Sequence, residues 1–121
     1  MRKQALFLAI ACSLLLFAAV RSRGASQPEP RRIELSAKRF SYQPSEITLK
    51  KDEPVVLVLH GEDFGHGLHV SELNVDLKTP ANGGTSEVRI TPDKEGDFIA
   101  RCSVFCGAGH GNMTLTIHVT P

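Results

Sequence analysis

The chain has 121 residues, with 14 lysines and arginines against 13 aspartates and glutamates, three cysteines and no tryptophan. That length gives one domain with a modest core and leaves no room for a large catalytic cleft. Near-balanced charge without a basic stripe argues against nucleic acid as a partner.

Residues 1–25 stand apart from the rest. A basic head, MRK, precedes the apolar run ALFLAIACSLLLFAAV at residues 5–20, the layout of a secretory signal peptide or an N-terminal membrane anchor. A spanning helix needs about 20 apolar residues, so the run is slightly short for an anchor. Cys12 follows Ala9-Ile10-Ala11 in the manner of a lipoprotein site, but the apolar run continues past it. The protein is therefore expected to be exported, to the periplasm or the outer face of the cytoplasmic membrane. Residues 5–20 would be a membrane tether if retained. Without Arg2, Lys3, Arg21 and Arg23 the remainder has ten basic and thirteen acidic residues, a net charge of −3 that favours a mildly basic partner.

SQPEPRR, residues 26–32, reads as a polar linker, and residues 33–121 as the folded domain. Ile33-Glu34-Leu35 alternates, and Phe40 and Tyr42 precede a turn at Gln43-Pro44-Ser45. Ile47-Thr48-Leu49 leads to the turn at residues 50–54, and VVLVL at 55–59 reads as a central strand covered on both faces. Val70, Leu73, Val75 and Leu77 mark further strands, ended by Pro80-Ala81-Asn82-Gly83-Gly84. Val88 and Ile90 alternate with Glu87 and Arg89, and after the turn at 91–96, Phe98, Ala100 and Cys102 share a face. In MTLTIHV, residues 113–119, Met113, Leu115, Ile117 and Val119 point inward and His118 outward. No helical periodicity follows residue 25. Seven or eight short strands with turns between them predict an all-β, antiparallel Greek-key sandwich or barrel.

The chemistry concentrates in CSVFCGAGHGNM, residues 102–113. Cys102 closes one inward-facing strand and Met113 opens the next, so the residues between form a loop at one pole. Gly107, Gly109 and Gly111 permit tight or positive-φ turns there. A thiolate, imidazoles and a weak thioether are the donors of a copper electron-transfer site. Cys106, His110 and Met113 supply three of these locally. A second histidine must come from elsewhere, and GEDFGHGLH at 61–69 offers His66 and His69, with His60 just before. Cys102 is superfluous to a single copper, whereas two thiolates reaching one place suit two coppers bridged by sulfur. Its C-x₃-C spacing with Cys106 differs from the redox-active C-x-x-C. A structural disulfide, the ordinary fate of a cysteine pair in an exported protein, is outweighed by His110 and Met113 at these spacings.

CSVFCGAGHGNM resembles the copper A motif C-x₃-C-x₃-H-x₂-M of cytochrome c oxidase subunit II and nitrous oxide reductase. EDFGHGLHV is similar to the D-x-x-H-G-F segment that supplies that family's other histidine, and FSYQPSEITLKKDEPVVLVL to the strands before it. The likeness spans residues 33–119. It implies a cupredoxin fold and two copper ions bridged by Cys102 and Cys106, with His66 on one and His110 on the other. Met113 would be a weak axial ligand on the His66 copper and the Val104 carbonyl on the His110 copper. Bridging thiolates spread one unpaired electron over both metals, and a rigid loop keeps reorganisation small.

The sequence also departs from that family. Val104 stands where many oxidase subunits have an acidic residue, no tryptophan supplies an aromatic electron-entrance patch, and one apolar segment stands in place of a transmembrane hairpin.

The leading expectation is an exported dinuclear copper A electron carrier, not an enzyme on its own. Its partner would be a redox protein such as a c-type cytochrome or a terminal oxidase. The alternative is a copper carrier or assembly factor, with His60 and His69 as a transfer path; a third is a module docked on a terminal oxidase. A thiol–disulfide enzyme is disfavoured by the cysteine spacing, and no nucleophile, base and orienting acid point to hydrolysis. Glu62, Asp63, Glu72 and Asp76 are candidates to meet a basic cytochrome.

Overall fold

The structure, a computed structural model, describes residue 24 and residues 26–121. The signal, anchor and tether readings fall on residues 1–23 and 25 and lie outside the described residues. No helix among those described is long and apolar enough to cross a membrane.

Among the described residues nine strands form two packed sheets: β1 (Arg31–Lys38), β2 (Ser41–Gln43), β3 (Glu46–Lys50), β4 (Val55–Gly61), β5 (Gly67–Val70), β6 (Val75–Lys78), β7 (Gly84–Ile90), β8 (Gly96–Arg101) and β9 (Thr114–Thr120). One sheet has the order β2-β1-β4-β7 and the other β3-β9-β8-β5-β6. Alternation decides which side chains go inside. Leu35 and Ala37 on β1, Leu57 and Leu59 on β4, and Leu115 and Ile117 on β9 are fully buried between the sheets. Each such leucine or isoleucine contributes about 1.5–3 kcal/mol through burial. VVLVL is central as predicted, between β1 and β7, with Val58 on the other face also buried.

Two details differ from expectation. Leu73 belongs to a 3₁₀ turn, Ser71–Leu73, closed by Asn74 at φ 54°; its burial at this corner explains its apolar character without a strand. The sandwich is also not wholly antiparallel, for β1 pairs with β4 and β3 with β9 in parallel. Alternation records which face a residue takes, and it carries no information about the direction of the neighbouring strand.

The parallel β1–β4 pairing positions the site. It sets Ala37 opposite Gly61, so both strands end at the same pole. The Glu62 N–H donates to the Ala37 carbonyl at 2.9 Å, which brings the turn after β1 beside the 62–66 segment after β4. The β8–β9 loop arrives at this pole from the other sheet, its base closed by the Cys102 N–H on the Met113 carbonyl at 3.2 Å.

Candidate metal centre

Five side chains from the two connections meet beneath this pole. The Cys102 and Cys106 sulfurs lie 3.9 Å apart, and both thiols are free and buried. That separation is far beyond the ~2.05 Å of a disulfide. His66 Nδ1 is 3.9 Å from Cys102 Sγ, His110 Nδ1 is 3.7 Å from Cys106 Sγ, and Met113 Sδ is 3.9 Å from Cys106 Sγ. The Val104 carbonyl accepts from Cys102 Sγ at 3.2 Å. Donor atoms of His66, Cys102 and Cys106 all lie within 4.8 Å of one another. These gaps are nearly twice a metal–sulfur or metal–nitrogen bond of about 2.0–2.3 Å, so a soft metal fits between donors without a change of fold. Thiolate, imidazole and thioether together are a donor set for copper.

Local structure aims each group. His66 is fully buried, and its ring Nε2–H donates to Asp63 Oδ1 at 2.5 Å, leaving Nδ1 directed at the thiols. Asp63 also accepts from the Arg39 N–H and the Phe64 N–H, each at 2.9 Å. Partial desolvation pushes the Asp63 carboxyl up, but the hydrogen bonds from Arg39, His66 and Phe64 outweigh it and hold the group at about 2. The Phe64 ring stacks on the His66 imidazole with centroids 4.9 Å apart, and the His66 N–H donates to Thr79 Oγ1 at 2.9 Å.

Gly67 follows His66, and its N–H donates to Cys102 Sγ at 3.4 Å. A Cβ here would lie 2.0 Å from Ser103 Oγ and 2.9 Å from Ser103 N, so glycine is required for this close approach. Buried Tyr42 donates its hydroxyl to the Gly67 carbonyl at 2.5 Å, pinning the same peptide from below. Burial, and then the neighbouring Cys102, push the Cys106 thiol up to about 11.

At the other end, His110 begins a 3₁₀ turn, His110–Asn112, with its N–H on the Gly107 carbonyl at 3.1 Å. His110 is half-buried, and Phe105 beside it, at 5.6 Å between ring centroids, is 79% exposed.

The structure thus brings together His66, Cys102, Val104, Cys106, His110 and Met113. His60 and His69 are elsewhere. His60 projects from the outer face of its sheet, between Glu34 Oε2 at 2.5 Å and Thr85 Oγ1 at 2.8 Å. His69 is half exposed and faces Asp76 across the β5–β6 pair, 3.8 Å away. His118 lies outward, as its strand parity predicts, between Asp97 and Glu46. Asp63, read from sequence as part of an acidic docking patch, is exposed and also accepts from the His66 ring. Its spacing, three residues before the histidine, is the signal that identifies it. Tyr42, Thr79 and Arg39 carry no local motif and emerge only from the fold.

Residues 6–115 match the cupredoxin-like domain family. The chain is 33% identical over 92 residues to a cytochrome c oxidase subunit 2 of Thermus thermophilus, covering 76% of this chain and 67% of that protein. It is likewise 33% identical over 92 residues to a second subunit 2 from the same species, covering 76% of this chain and 54% of that one. The chain therefore spans only about half to two thirds of these relatives. Among solved structures, the periplasmic domain of subunit II of cytochrome oxidase from Bradyrhizobium japonicum superimposes with a TM-score of 0.67 at 19% identity, covering 77% of this chain and 86% of that one. The chain belongs to the cupredoxin-like domain family. Within it, the two cysteines and His66 make it a domain with the copper A type of ligand set, related to cytochrome c oxidase subunit 2.

Proposed function

We propose that residues 33–121 hold a dinuclear copper A centre and act as an exported one-electron carrier. Cys102 and Cys106 would bridge the two ions, with His66 and His110 as terminal ligands and Met113 Sδ and the Val104 carbonyl as weak ones. The observation that carries this reading is the pairing of each free thiol with its own imidazole nitrogen, at 3.9 and 3.7 Å, while the thiols face each other at 3.9 Å. A mononuclear site would leave one thiol and one imidazole without a task.

When bound, the copper pair supplies a one-electron couple. The protein's part is to hold the donors still and dry. Asp63 fixes the His66 tautomer, as carboxylates commonly do behind metal-binding histidines. The Gly67 N–H donates to Cys102 Sγ and holds that sulfur in place. The sheet ends at Arg101 and Thr114 anchor both arms of the ligand loop, which keeps its rearrangement small when charge changes. Of the side chains at the centre His110 alone is only half-buried, and it would be the route to a redox partner such as a c-type cytochrome or a terminal oxidase. Similarity to a periplasmic subunit II domain supports a location outside the cytoplasmic membrane.

Copper analysis after loading tests this. Two copper ions per chain, retained through cycles of oxidation and reduction against a competing chelator, are expected. One ion per chain overturns the dinuclear reading, and release on reduction points instead to copper delivery.

A further inference from the structure

The turn between β1 and β2 is Arg39-Phe40, and both residues meet the metal-site loops. The Arg39 backbone N–H donates to Asp63 Oδ2 at 2.9 Å, while its side-chain Nε–H donates to the Cys106 carbonyl at 3.1 Å. The guanidinium carbon sits 3.9 Å above the Phe64 ring centroid, and the Phe64 ring also stacks on His66. One residue therefore touches both ligand-bearing segments. Phe40 supports the same loop. A Cβ on Gly109 would come within 2.4 Å of the Phe40 ring, and one on Gly107, at φ +133°, within 3.0 Å. The ligand loop is laid backbone-down on this ring.

We infer that Arg39, with Phe40 beside it, is a positioning residue. It sets the 102–113 loop before metal arrives and, through its permanent charge, biases the loaded centre toward its reduced form. The second half rests on the copper reading; the first does not. A hydrogen bond to the Cys106 carbonyl fixes the peptide plane that follows the thiol, and so the direction of Sγ. Arginine suits this because its planar fork donates from Nε while the same plane stacks on an aromatic ring. Reduction adds one electron from an external donor protein and no proton at Arg39, so a nearby fixed cation favours the reduced state.

Two variants separate the two effects. Arg39→Ala removes both the bond and the charge; Arg39→Lys keeps the charge and loses the Nε–H fork. The Asp63 contact is a backbone one and survives in both. The first readout is amide hydrogen exchange of the full chain, metal-free and under reducing conditions. Amides of residues 102–113 are expected to exchange about tenfold faster in both variants, the loss of one charge-assisted hydrogen bond. Core amides of β4 and β9 should be unchanged, which reports an intact fold. The second readout is the reduced-to-oxidised ratio of the copper-loaded chain at fixed electrode potential. It should fall about 2- to 20-fold in Arg39→Ala, for a unit charge within roughly a nanometre, and recover in Arg39→Lys. Unchanged loop exchange in both variants overturns the positioning role. An unaltered ratio in Arg39→Ala, or an equal fall in both variants, overturns the charge role. If the native chain takes up no copper pair, the copper reading fails and the charge role with it, while the exchange result still decides the positioning role.

Discussion

His66 and Asp63 form a hydrogen-bonded pair, Nε2 to Oδ1 at 2.5 Å, in which the fully buried imidazole turns its other nitrogen toward Cys102. The carboxylate is itself held by two backbone N–H groups, so the pair is a fixed unit and copper would meet a ring already in the required tautomer. Asp63→Ala frees that ring. The expected result is a 10- to 100-fold loss of copper affinity, on the order seen for such supporting partners, with the fold retained. Competition with a chelator of known affinity measures it; unchanged affinity would mean that Asp63 has no part in the site.

The contact between Gly67 and the ligand loop gives a second prediction. Gly67→Ala drives a methyl group into Ser103 Oγ and N and strains the Gly67 N–H to Cys102 bond. Overpacking of this kind costs about 1–3 kcal/mol. Ser103→Ala in the same chain removes the nearer atom and should restore part of the loss, as read from denaturant midpoints. No destabilisation in the single variant would show that the two segments do not approach this closely.

The two histidines outside the site provide a negative prediction. His60→Ala and His69→Ala together remove imidazoles already engaged with Glu34, Thr85 and Asp76. Copper stoichiometry and rate of uptake should be those of the native chain. Slower uptake would revive a transfer path through them.

On the opposite face, His118 supplies a pH-dependent term away from the site. Its hydrogen bond to Asp97, with Glu46 nearby, raises its pKa above 6.5. A group raised on folding stabilises the native state fully below its unfolded pKa, and that contribution is lost as pH rises through the folded value. Asp97 is exposed and His118 only half-buried, so the effect on stability is small. Titration of the His118 ring by NMR should give a pKa above the ordinary histidine value, and Asp97→Asn should return it. A native value at or below 6.5 contradicts the pairing.

Much of this was legible in the sequence for a physical reason. Cys102, Cys106, His110 and Met113 lie on one loop, and spacing alone brings such residues together. The strands showed equally well, because each buries one face and alternation reports it, as Met113, Leu115, Ile117 and Val119 do. What stayed hidden depends on which strands become neighbours. The parallel β1–β4 pairing sets Arg39 beside Asp63, and no local pattern announces that. Tyr42 reads as an ordinary core aromatic until the fold lays its hydroxyl on the Gly67 carbonyl. Asp63 is legible as an exposed acid; that its carboxylate also holds the His66 ring shows only in its spacing from that histidine.

The central claim is that two coppers share one electron between Cys102 and Cys106. An electron paramagnetic resonance spectrum of the copper-loaded, oxidised protein tests it most directly. A seven-line hyperfine pattern, one unpaired electron spread over two equivalent copper nuclei, is the predicted result. A four-line pattern from a single copper, or a metal-free protein with Cys102 and Cys106 joined, would contradict it.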